Sequence, residues 1–91
     1  MGEASQDVVI VNKRGLHARA SAKFVASVAA MSGTQVSVIK DGQEAGGSSI
    51  LGLMMLGAAK GDSVTLRVSG VDCEARLAEL VAMIEGRFGE D

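Results

Sequence analysis

A chain of 91 residues fits one domain over 1–91, since compact domains run to about 100–150 residues and a second core would not fit. Its 47% hydrophobic and 22% charged residues exclude a disordered chain, while 2% aromatics leave the core to Val, Leu, Ile, Ala and Met. A net charge of −2 without Trp or Tyr argues against nucleic acid as a partner, and one Cys beside one His excludes an internal disulfide and a four-ligand zinc site. The expected compartment is the cytoplasm, with no metal and no cofactor.

The start MGEASQD carries acids before any apolar residue, unlike a signal peptide. Val8 to Val11 then form a β-branched run ended by Asn12-Lys13-Arg14-Gly15, which predicts a first strand at about residues 7–12. From Ala18 the spacing turns helical, with Phe24, Val28 and Met31 on one face, Lys23 and Ser27 on the other, and Gly33 as the end. Val36 and Val38 alternate with polar neighbours before Asp41-Gly42, a type I′ turn signal, so 34–47 reads as a hairpin. Ser48-Ser49 precede the apolar Ile50 to Leu56, a short helix closed by Gly57 and far below the roughly 20 residues that span a bilayer. Val64, Leu66 and Val68 alternate with Thr65, Arg67 and Ser69 as a last strand ended by Gly70. Asp72 is the expected N-cap of a final helix carrying Leu77, Leu80, Val81, Ile84 and Phe88 as one stripe, limited by Gly86 or Gly89. The order β-α-β-β-α-β-α predicts an α+β two-layer sandwich, a four-stranded sheet with helices on one face.

The single histidine, His17, stands at the entrance of the first helix. Unpaired amides and the helix dipole favour an anion there and disfavour imidazolium, so the ring is expected neutral and nucleophilic. Arg19 adds a planar donor fork suited to phosphate oxygens. Phosphoryl transfer suits such a site best, because it needs little beyond positioning and electrostatic stabilisation.

Gly15-Leu16-His17-Ala18-Arg19, the run from Ser49 through Gly57 and the final helix resemble the HPr family, the histidine-containing phosphocarriers of the bacterial phosphoenolpyruvate-dependent phosphotransferase system. The likeness covers about residues 7–88 in element order. It implies an open-faced β-sandwich with an antiparallel sheet. It further implies that His17 accepts phosphate on Nδ1 from phosphorylated enzyme I and passes it to a histidine of an enzyme IIA domain. Arg19 and the Ala18 and Arg19 amides would hold that phosphate. Leu16, Ala20, Lys23, Ile50, Leu51 and Met54 would form the docking surface. Such a protein is a substrate and relay, expected to be monomeric, and not an autonomous catalyst. Asn12-Lys13, the Ala58-Ala59-Lys60-Gly61 turn and the acidic end are similar to the nitrogen-related branch. One departure is Ala20, where the family usually has proline directly after the arginine.

Ser49 has two roles that can coexist. As N-cap it would compete with Ser48, and by the resemblance it matches the serine that HPr kinase/phosphorylase modifies. Ile50 to Leu56 has no polar side chain, so a short helix there must leave an apolar patch in water, the mark of a partner surface. Cys73 is expected to be incidental, and Glu90-Asp91 to be a solubilising end. Two other functions compete: an acylphosphatase-like hydrolase using Arg19 for phosphate and Asn12 to orient water, and an adaptor binding through Ile50, Leu51 and Met54.

Overall fold

Alternation of branched and polar residues gives each strand one face to bury, and the computed structural model, which describes residues 2–90, packs all of those faces under the helices. The elements are β1 (Gly2–Val9), α1 (Ala18–Ala29), β2 (Thr34–Lys40), β3 (Gln43–Gly46), α2 (Ile50–Met55), β4 (Ser63–Gly70) and α3 (Cys73–Glu85), followed by a short 3-10 turn at Arg87–Gly89. The sheet order is β1-β4-β2-β3, antiparallel throughout. This is the α+β open-faced sandwich expected from the sequence.

Val8, Val36, Val38, Ala45, Val64, Leu66 and Val68 supply the covered face. The helices close over it with Phe24, Leu53, Leu80 and Ile84, all essentially inaccessible to water. Burial of each such side chain stabilises the fold by about 1.5–3 kcal/mol before chain entropy is subtracted. The opposite face is polar: Arg67 reaches Glu3 at 3.2 Å and Glu44 at 3.8 Å, and the Thr65 hydroxyl donates to Asp7 at 2.6 Å.

Three details correct the sequence expectation. Strand β1 begins at Gly2 and ends at Val9, not at about 7–12. Its polar residues are tolerated because it is an edge strand with one partner, and Ile10 continues the contact by donating to Asp62 O at 2.8 Å and accepting from Gly61 N at 2.8 Å. Asp72 holds the N-cap position of α3 but makes no capping bond, since its φ of 55° is left-handed, unlike the extended backbone that aims a cap at the first-turn amides. Phe88 joins the core (3% exposed) from outside α3, because the helix stops at Glu85 and Arg87 and Phe88 turn left-handed at φ 61° and 55°.

The hairpin turn has positive φ at both Asp41 (51°) and Gly42 (80°), as a type I′ turn requires. Cys73 is a free thiol buried in the core. Among the described residues no helix is long and apolar enough to cross a membrane.

Candidate functional site

The Asn12–Gly15 turn hands the chain from the sheet to α1 and fixes where His17 stands. Gly15 has φ 63°, and the next amide, from Leu16, donates to Ala58 O at 3.0 Å, tying the turn to the segment after α2. His17 is the N-cap of α1, extended at φ −73° and ψ −179°. Its Nδ1 accepts from the Arg19 amide at 3.3 Å, doing with a ring nitrogen what Ser or Asp does with oxygen. The first helical bond runs from Ser21 N to His17 O at 2.9 Å. Ala20, third in the helix, therefore occupies a position where the family's proline would cost no helical bond.

The other ring nitrogen meets the C-terminal turn. Nε2 lies 2.9 Å from Glu90 Oε2 and 3.2 Å from Oε1. An Nδ1 that accepts from an amide must be bare, so the proton assigned by this network sits on Nε2 and is donated to the carboxylate. Asn12 Nδ2 donates to Glu90 Oε1 at 3.3 Å and to Gly15 O at 2.9 Å, joining both sides of the site. With 20% of the His17 side chain and 15% of the Glu90 side chain exposed, the pair is sheltered but within reach of a partner. Burial pushes the Glu90 carboxyl up, but hydrogen bonds from His17 and Asn12, together with the charges of His17 and Lys23, outweigh it and hold the group below its ordinary value of 4.5.

Around the pair opens a cleft of about 460 Å³ lined by Lys13, Arg14, His17, Arg19, Lys23, Gly89 and Glu90. Four cations and one carboxylate make it a site for an anion, placed at the N-terminal end of α1. His17, Arg19 and Lys23 are thus gathered as expected. Lys13, Arg14 and Glu90 were missed. The first two stand in the sequence directly before Gly15, whereas Glu90 was expected to be only a solubilising end, a reading the His17 contact corrects. Asp91 lies outside the described residues.

The other expected residues divide. Ser49 caps α2, its Oγ accepting from Gly52 N at 2.9 Å, and Ser48 does not. Ile50, Leu51 and Met54 are exposed at 41%, 67% and 40%, and Met55, absent from the expected surface, reaches 72%. Leu16 and Ala20 are buried, so neither presents a side chain to a partner; the first turn of α1 is pressed inward where Ala20 sits one turn before Phe24. Lys23 is exposed, and its Nζ donates to Phe88 O at 2.8 Å. Asn12 is completely buried and engaged on Glu90 and Gly15, which removes the water-orienting role that the hydrolase reading gave it.

Comparison with known proteins agrees with this fold. Residues 4–86 match the family described as the PTS HPr component phosphorylation site. The chain is 44% identical over 85 residues to phosphocarrier protein HPr of Cupriavidus necator, covering 93% of this chain and 94% of that one. It is 34% identical over 90 residues to phosphocarrier protein NPr of Shewanella violacea, covering 99% and 98%. The crystal structure of HPr-C-His from Thermoanaerobacter tengcongensis superposes with a TM-score of 0.87 at 41% identity, over 100% of this chain and 99% of that one. With the fold, the histidine-bearing helix start and these relatives in agreement, the chain belongs to the HPr family of phosphocarrier proteins.

Proposed function

We propose that this protein carries a phosphoryl group on His17 Nδ1, taking it from phosphorylated enzyme I and giving it to a histidine of an enzyme IIA domain. The observation that carries the reading is the geometry around the His17 ring, with Nδ1 3.3 Å from the Arg19 amide and Nε2 2.9 Å from Glu90, which assigns the proton to Nε2. A bare Nδ1 is ready to attack phosphorus, and the oxygens it brings in would meet the Ala18 and Arg19 amides, the Arg19 guanidinium and the cations of the cleft. The protein supplies position and charge, while the partner enzymes supply the rest of each transfer site.

Ile50, Leu51, Met54 and Met55 supply the apolar part of the docking surface and Lys23 a basic rim. The adaptor reading is absorbed here, since a carrier must also bind its donor and acceptor. Ser49, exposed at the edge of this patch, is proposed as a second, regulatory phosphorylation site for an HPr kinase/phosphorylase. Its hydroxyl is accessible while it caps the helix, which supports both roles. The relatives named HPr and NPr both match over more than nine-tenths of their length, so sugar-type and nitrogen-type acceptors are both consistent with the fold.

The test is incubation with phosphoenolpyruvate and enzyme I. The wild type gains one acid-labile phosphate on His17, and His17→Ala gains none while still folding, with a melting temperature lowered by loss of the α1 cap and the Glu90 contact. Equal uptake by the alanine variant would overturn the proposal.

A further inference from the structure

The last turn of the chain is built to deliver a carboxylate to the back of the His17 ring. Three consecutive residues, Arg87, Phe88 and Gly89, take positive φ (61°, 55° and 75°), and two of them are not glycine. Such backbone is costly and persists only where its surroundings hold it. Here Phe88 is buried, its carbonyl is held by Lys23 Nζ at 2.8 Å, and Glu90 N closes the turn on Arg87 O at 2.8 Å. The result places Glu90 within 2.9 Å of Nε2 and against Asn12, on the side of the ring away from Nδ1.

We infer that Glu90 is the positioning residue of the carrier histidine: it fixes the proton on Nε2 and balances the charge of the phosphorylated ring. This rests on the phosphocarrier reading of His17. When the Nδ1 lone pair attacks, a bond to phosphorus forms and the bond from phosphorus to the donor's nitrogen breaks. The proton stays on Nε2, so the phosphorylated ring is cationic. Glu90 faces that charge directly, whereas Lys13, Arg14, Arg19 and Lys23, the other charged groups lining the cleft, all oppose it. On delivery the Nδ1–phosphorus bond breaks, its electron pair returns to Nδ1, and a neutral ring already in the starting tautomer departs. No proton has to move in either direction. Without Glu90 the four cations would favour loss of the Nε2 proton, which leaves a poorer leaving group.

The experiment uses the full chain as wild type, Glu90→Gln and Glu90→Ala. Nitrogen-15 spectra of the unphosphorylated His17 ring read the tautomer. Phosphate loaded with phosphoramidate, and separately with enzyme I, gives the rate of dephosphorylation against pH. The wild type should hold the proton on Nε2, glutamine should preserve that tautomer through its amide oxygen, and alanine should yield a mixture. Both variants should move the midpoint of the dephosphorylation profile to lower pH by about one unit or more, the size expected on removing an opposite charge in contact. Wild-type ring signals in the alanine variant, or a wild-type pH profile in the glutamine variant, would overturn the inference. Failure of the wild type to load His17 at all would overturn the carrier reading instead, and the tautomer measurement would still report on Glu90.

Discussion

The α-carbon of Gly15 lies against the main chain of Ala58, whose oxygen accepts the neighbouring Leu16 amide at 3.0 Å. A β-carbon at Gly15 would run into that oxygen and come within 2.9 Å of Ala59 Cα, both rigid backbone atoms, and φ there is 63°. Gly15→Ala should therefore cost at least about 1–3 kcal/mol from the left-handed backbone alone. Because the displaced turn leads straight into His17, phosphate uptake should slow as well. Denaturant unfolding together with the rate of phosphorylation by enzyme I checks both effects.

Arg19→Ala should fold normally, since the side chain is exposed and makes no hydrogen bond or ion pair within the described residues. Transfer should slow about 10- to 100-fold, corresponding to a charge-assisted phosphate contact of about 1.5–3 kcal/mol. The Arg19 amide on Nδ1 is kept in the variant. Single-turnover transfer from enzyme I, compared at matched ionic strength, reads the difference, and an unchanged rate would remove the guanidinium from the site.

At Ser49 two substitutions separate cap from surface. Ser49→Ala removes the acceptor for Gly52 N and should lower stability by about 1 kcal/mol while leaving phosphorylation by enzyme I near wild type. Ser49→Asp keeps a capping oxygen and should hold stability, yet it places a charge beside Ile50, Leu51 and Met54 that a docking partner must desolvate. Uptake by the aspartate variant should be slower. Melting curves beside uptake rates distinguish the two, and wild-type uptake by Ser49→Asp would leave Ser49 as a cap alone.

Acid stability should depend on Glu90. A carboxyl held below its ordinary value in the folded state contributes stability that is fully present above the unfolded value of 4.5 and is lost as pH falls through the lower folded value. Glu90→Gln should therefore lie below the wild type in stability near neutral pH and approach it as the solution is acidified. Lys40 works with the opposite sign at the basic end. Its hydrogen bond to Asp41 at 3.0 Å raises it, so its contribution is present below 10.5 and lost as pH rises through the raised value. Urea midpoints measured across pH for wild type, Glu90→Gln and Lys40→Gln check both signs.

What could be read from the sequence follows how local its cause is. The strand faces at Val36, Val38, Val64, Leu66 and Val68, the Asp41-Gly42 turn and the exposed side of α2 all depend on neighbours in the chain, and they stand as expected. His17 was legible because a glycine break and a helix start flank it within a few residues. Glu90 was not, because its partner lies 73 positions away and the backbone that brings it there places non-glycine residues at positive φ, which no local pattern announces. Leu16 and Ala20 were misplaced for a related reason: which side of the first helical turn faces the sheet is settled by packing. The early start of β1 was hidden because Glu3 to Asp7 has the composition of a tail, and only pairing with a distant strand makes it sheet.

That pairing also governs when the molecule can finish folding. β1 lies at the sheet edge against β4 alone, with Gly2 opposite Gly70 and Val9 opposite Ser63, while β2 and β3 form the single pairing of chain neighbours among the described strands. β1 leaves the ribosome before α1, β2, β3 and α2, and its partner β4 only after all of them, so until β4 emerges the strand has nowhere to dock. The hairpin can close early, but the sheet cannot assemble until β4 emerges, and the large loop closure makes this topology slow relative to helical proteins of the same length. A hydrophobic strand left waiting that long would invite association with other nascent chains. The acidic and polar residues Glu3, Ser5, Gln6 and Asp7 keep the waiting segment in water, so the feature that disguises β1 in the sequence is also what protects it during synthesis.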